Sequence, residues 1–89
     1  MTTLFVRHTV ADYPAWRRIF DDFAPFQEAM GVIDKAVFRA ADNANDIIVS
    51  HDFATLESAK AFVGSPELKA AMHDAGATSA PTIWFATRA

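Results

Sequence analysis

Four segments of this chain alternate with a period of two, and in each the large apolar side chains fall on both alternations. Residues 3–10 set Leu4, Val6, His8 and Val10 against Phe5, Arg7 and Thr9. Residues 32–40 carry Val37 beside Phe38, residues 46–53 carry Ile48 beside Val49, and residues 82–88 carry Ile83, Trp84 and Phe85 in a row. Period-two segments rich in β-branched and aromatic residues read as strands. A sheet with one apolar side needs one covering layer. A sheet with two needs something on each side.

Helical spacing fills the gaps between these strands. Asp12 stands where an N-cap belongs, and Tyr13, Trp16, Phe20 and Phe23 follow at steps of three and four. Arg17, Arg18, Asp21 and Asp22 take the opposite side as two i,i+4 pairs. Pro25 has no N–H to donate, so the helix should break near Ala24, with Phe26 and Met30 adding a short further turn before Gly31. Thr55 caps a second helix carrying Leu56, Ala59, Phe62 and Val63, which stops at Gly64. Ser65-Pro66-Glu67 restarts it, Leu68, Ala71, Met72 and Ala75 give its buried stripe, and Gly76 ends it. The run Asp42-Asn43-Ala44-Asn45-Asp46 is turn chemistry, so the second and third strands should form a hairpin.

The order is β-α-β-β-α-β with the second helix split, a ferredoxin-like α+β fold with a four-stranded antiparallel sheet and helices on one face. At 89 residues, positions 1–89 make a single domain. Its helices can cover only one side of the sheet, and the other side would expose more than the few hundred Å2 of apolar surface usual for a monomer. Cysteine is absent, so no disulfide compensates for the small core. A homodimer packed through the open sheet face is the expectation, most simply with C2 symmetry.

A formal charge of −3 argues against a nucleic-acid partner, and the sequence has no basic aromatic signature of RNA-recognition sheets. No basic region precedes a long apolar run, and no stretch approaches the ~18 residues of a spanning helix. The expectation is a cytoplasmic protein without a membrane partner. The three histidines lack the close spacing of a metal site, so no metal is expected. A Gly-rich phosphate loop, a nucleophile elbow and a thiol are also missing, and no cofactor is expected.

With these elements in place, the chain resembles the dimeric α+β barrel superfamily, which includes the antibiotic-biosynthesis-monooxygenase-like proteins. The resemblance spans nearly the whole chain. It lies in Val6-Arg7-His8-x-Val10-x-Asp12-Tyr13-x-x-Trp16, in Gly31-Val32, in Asn45, and in Ser65-Pro66-Glu67-Leu68, Met72 and Ala75-Gly76. It implies a dimeric barrel and a choice of activities: cofactor-independent oxygenation of aromatic polyketides, cyclisation, lactone isomerisation or haem degradation. The haem-degrading branch uses an Asn on the first strand, and this strand has none. In related cyclases a ligand lies between sheet and helices. Carried onto this chain, that cleft would be lined by Val6, His8 and Val10 below and Trp16, Phe20, Phe23 and Met72 above.

Several residues could carry chemistry there. His8 shares its side of the strand with Leu4, Val6 and Val10, so it should point under the helices. It would serve as a general base, or as a core histidine bonded to a carbonyl or to Tyr13. His51 shares a side with Ile47, Val49 and Phe53, and as a neighbour of His8 it would complete a base and orienting partner, register permitting. Arg7 should face the other side, where it would pair with Asp34 or Asp52 across the dimer, reach solvent, or bind a substrate carboxylate or phenolate. Trp16, Phe20, Phe23 and Trp84 would form either an aromatic slot for a planar apolar ligand or plain core. An enzyme, a non-catalytic binding module and a purely structural protein all remain compatible with the sequence.

Overall fold

The computed structural model describes residues Met1–Ala89. Its elements are β1 (Thr2–Thr9), α1 (Tyr13–Asp22), α2 (Ala24–Ala29), β2 (Asp34–Ala40), β3 (Asn43–Phe53), α3 (Leu56–Val63), α4 (Pro66–Asp74) and β4 (Thr82–Thr87). The four strands form one antiparallel sheet in the order β2-β3-β1-β4. Each crossover thus leaves room for one strand between the pair it joins, as expected for a ferredoxin-like fold.

The helix boundaries follow local chemistry. Asp12 accepts a hydrogen bond from the Ala15 N–H, Thr55 from Ser58 and Ser65 from Leu68, each satisfying an orphan donor of a first turn. Ser65 also donates its hydroxyl proton to the Phe62 carbonyl at 2.7 Å, so one buried side chain closes α3 and opens α4. Pro25 splits the first helical region as its missing N–H requires. α1 ends at Asp22, Phe23 caps both helices, and Pro25 lies in the first turn of α2. After α2 the chain turns through Gly31 at φ 99°, a left-handed conformation that favours glycine.

Two boundaries differ from the sequence expectation by more than one residue. β2 begins at Asp34 rather than at residue 32, because Val32 instead folds back to donate its N–H to the Gln27 carbonyl and packs in the core. The β2–β3 connection is two residues, Ala41 and Asp42, rather than the five of 42–46. Asn43 pairs with Ala40, and its side chain accepts from the Asn45 N–H within the strand. No non-glycine residue has positive φ, and the ladder absorbs the tight turn as a register shift between Arg39 and Ala40.

All helices lie on one side of the sheet. There, Leu4, Val6, Phe53, Ala59, Phe62 and Leu68 form one core cluster, and Val10, Trp16, Ile47, Val49 and Ala75 a second. The other side is uncovered, and Phe5, Ile48, Phe38 and Trp84 lie on it, with Phe38 54% and Trp84 39% exposed.

Candidate functional site

Between the two core clusters the helices stand slightly off the sheet and leave a cleft. Its floor is Val6 and His8 from β1 with Val49 and His51 from β3. Trp16, Ile19, Phe20 and Phe23 from α1 and its cap form one wall, and Gln27 of α2 closes that side. Leu68, Ala71, Met72 and Ala75 along α4 form the other. About 40 Å3 is open to the centres of water-sized molecules, and about 430 Å3 is free of atoms when the mouth is included. A single water needs roughly 10–15 Å3 on the first measure, so the closed cleft has room for about three.

Aromatic rings of α1 stack on one another above the sheet. Trp16 and Phe20 have centroids 5.0 Å apart with planes 16° from parallel, and Tyr13 continues the stack at 5.9 Å from Trp16. Helical spacing of three and four residues produces this row, because it brings successive rings to one side of the helix. Phe23 instead packs on Phe26 and Phe62.

Both histidines face the cleft, as the alternation of β1 and β3 requires. His8 is 4% exposed, its ring 6.1 Å from Trp16, and neither ring nitrogen has a hydrogen-bond partner. Burial pushes its pKa down from the ordinary histidine value, against a smaller opposing pull from Asp46. His51 is 3% exposed, lies 5.3 Å from Phe62 and 6.4 Å from Phe20, and its Nδ1 is also unpartnered. Burial, with the charge of Lys35 next, pushes its pKa down to about 4. Both imidazoles are therefore neutral at pH 7, free to accept a proton or a hydrogen bond.

The register separates them. Leu4 lies opposite His51, and His8 lies opposite Ile47. Four residues at ~3.4 Å of rise put the two histidines roughly 14 Å apart along the sheet. The pairing of a base with an orienting partner is thereby corrected: each histidine stands alone at its own end of the cleft. The alternative bond from His8 to Tyr13 is also not made.

Three further expected ligand contacts fall elsewhere. Arg7 points from the uncovered side, where it donates two hydrogen bonds to Asp46 of the same chain, at 3.1 and 2.6 Å. That contact holds the Asp46 carboxyl below the usual carboxylate range. Neither Asp34 nor Asp52 is its partner, and Asp52 accepts instead from the Thr3 hydroxyl. Trp84 stacks on Phe5 at 5.2 Å on the same uncovered side, away from Trp16 and Phe20. Tyr13 sits behind Trp16, with the Arg39 guanidinium 4.0 Å over its ring, and does not line the cleft.

Sequence reasoning missed Gln27 and Lys35. Gln27 is 1% exposed, and its Oε1 accepts from the Lys35 ammonium at 2.5 Å. The same ammonium lies 5.1 Å from the centre of the Phe20 ring. Lys35 is the direct cross-strand neighbour of His51. The signal for Gln27 was its place four residues after Phe23, an amide on an otherwise apolar helical stripe. No three His, Cys, Asp or Glu side chains gather where they could hold a metal ion, and no helix is long and apolar enough to cross a membrane.

No family model and no curated protein matches this sequence. The fold is matched among solved structures. A candidate antibiotic biosynthesis monooxygenase from Caulobacter crescentus CB15 superposes with a TM-score of 0.78 at 19% identity, covering 99% of this chain and 89% of that one. Another from Bordetella bronchiseptica gives 0.83 at 11% identity, over 99% and 96%. SnoaB, a cofactor-independent oxygenase from Streptomyces nogalater, gives 0.75 at 17% identity, over 99% and 94%. The chain has the α+β fold of the antibiotic-biosynthesis-monooxygenase-like proteins, as the resemblance in its residues implied.

Proposed function

We propose that the protein binds a small, planar, mostly apolar aromatic molecule between sheet and helices and acts on it as a cofactor-independent oxygenase. The observation that carries this is His8: a buried imidazole with neither nitrogen bonded, set in the floor of an apolar cleft. An unsatisfied buried polar group costs about 1–3 kcal/mol, so a partner entering the cleft, whether water or ligand, is stabilised at His8. Neutral His8 or His51 takes a C–H or phenolic proton from the substrate, and the stacked rings exclude water from the anion left behind. Dioxygen from solution then oxidises that carbanion. One oxygen atom enters as a carbonyl, the other leaves as water, and the former methylene carbon supplies the four electrons. Likeness of fold to a cofactor-independent oxygenase supports this reading at the level of fold alone.

The unit that does this is a homodimer closed over the uncovered sheet side. Phe38 pairs with Ile48 and Phe5 with Trp84 on that side, with Arg7 and Ser50 between the two pairs, and a second copy of the sheet would bury both. Binding without turnover is the second reading, favoured by a lining in which His8, His51 and Gln27 are the only polar side chains.

Native mass spectrometry followed by denaturing release tests the assembly and the cleft together. A dimer carrying a small aromatic molecule is expected; a clean monomer with an empty cleft refutes both. With the released compound and dioxygen in hand, His8→Ala/His51→Ala should abolish turnover while the chain stays folded. Turnover equal to wild type removes the histidines from the mechanism. Tight binding with no turnover in either protein selects the binding module.

A further inference from the structure

The two ends of the cleft differ in charge. At the His8 end the imidazole is the sole polar group of the lining. At the His51 end a cation stands just behind the wall. Lys35 reaches in from β2, donates to the fully buried Gln27 amide, and rests against Phe20, so both of its contacts are lining residues. A half-buried ammonium held by one neutral amide and one ring face has no carboxylate to neutralise it there. The groups facing it are His51 from β3, Gln27 from α2 and Phe20 from α1. Asp52 turns through to the other side of the sheet, where Thr3 binds it. An unneutralised cation beside an apolar cavity acts at long reach, because little water intervenes to screen it.

We infer that Lys35 is the specificity-determining residue of the cleft. It draws the acidic hydroxyl of a bound aromatic ligand to the His51 end and holds that ligand as its anion. This rests on the cleft being a ligand site, as proposed above. Entry of the ligand oxygen lets the ammonium exchange the Gln27 carbonyl for a charged acceptor, which makes a shorter and stronger hydrogen bond. The proton leaves the hydroxyl for His51 or for solvent. The resulting anion lies between His51 and Lys35, and the rest of the ring lies against Trp16 and Phe20. Neutral isosteres would share the stacking and gain nothing from the charge. Selectivity for weak acids over neutral aromatics then resides in one side chain outside the lining.

Two commercial molecules of nearly equal shape test this, 4-nitrophenol and nitrobenzene. In a Trp84→Phe background, Trp16 is the remaining tryptophan and its quenching reports binding of either probe. The phenolate's visible absorption reports the ionisation of bound nitrophenol. The bound phenol should ionise at least about one pH unit below the free phenol, since an adjacent opposite charge shifts a pKa by roughly 1–3 units. Lys35→Met should remove this shift and weaken phenolate binding about tenfold or more, leaving nitrobenzene affinity within about twofold, and Lys35→Arg should restore the preference. An unshifted phenol in the wild type, or the same shift in Lys35→Met, overturns the assignment while leaving the cleft a binding site. Failure of both probes to quench Trp16 refutes the cleft as a ligand site, and the role of Lys35 with it.

Discussion

The two sides of the sheet are drawn from alternate residues of the same four strands, yet they are finished differently. On the covered side Leu4, Ile47, Phe53 and Phe62 are wholly excluded from solvent. On the other, Phe38, Trp84, Phe5 and Ile48 carry as much apolar bulk and meet no helix. Apolar patterning therefore states how much surface the chain needs to bury. The number of helices states how much it can bury by itself. The polar residues follow the same division: Arg7 and Asp46 find each other in the open, whereas His8 and His51 are enclosed without full partners.

The contrast breaks first at Phe62. Its ring packs on Phe23, Phe26, His51 and Phe53, so Phe62→Ala should cost about 3–5 kcal/mol in chemical denaturation. A loss below about 1 kcal/mol would mean that the covered side is loosely packed after all.

Enclosure of the histidines gives the next largest effect. His51 ionises near 4 in the folded chain and near 6.5 when unfolded, so between those values the unfolded chain binds the extra proton. Stability is then full above about pH 6.5 and declines as the pH falls toward 4, by about 3 kcal/mol at most for this residue. His8, shifted in the same direction, adds to the decline. Asp46 stays outside this window, because Arg7 holds its pKa below the usual range and its contribution fades only under more acid conditions. Denaturant midpoints measured from pH 7 to 4.5 check the slope, and a flat profile would show that the histidines are not enclosed.

The smallest effect on folding is expected on the open side. Phe38→Lys should leave the stability of a single subunit within about 0.5 kcal/mol of wild type, as for other exposed positions. In the proposed dimer the same change should give monomers by native mass. An intact dimer would move the interface elsewhere.

Much of this was legible in the sequence because it depends on local periodicity. Alternation alone assigned His8 and His51 to the covered side and Arg7 to the other. Pro25, Ser65 and Gly31 marked helix boundaries through backbone chemistry that acts within a few residues. What the sequence did not disclose depends on register. Asn43 and Asn45 read as loop formers, yet they continue β3 because Asn43 supplies its own side-chain acceptor next to a two-residue turn. The turn's position sets which residue of β2 faces which of β3, whereas the four-residue offset of the two histidines belongs to the β1–β3 ladder, whose strands lie far apart in sequence. Lys35 was obscured for the same reason. Its place beside His51 is a cross-strand fact, and its contact with Gln27 joins elements that only the folded chain brings together.

The position of β1 between β3 and β4 also has a consequence in time. Thr2 pairs with Thr87, so the first strand of this fold is flanked by its last. Such ladders join distant parts of a chain, and topologies rich in them fold in about milliseconds to seconds rather than microseconds. Until β4 has emerged, β1 has one open edge, and Phe5 lacks the Trp84 ring that will stack on it. Folding during synthesis therefore completes only once β4 is available, and a product stalled or truncated before it would present an unpaired strand.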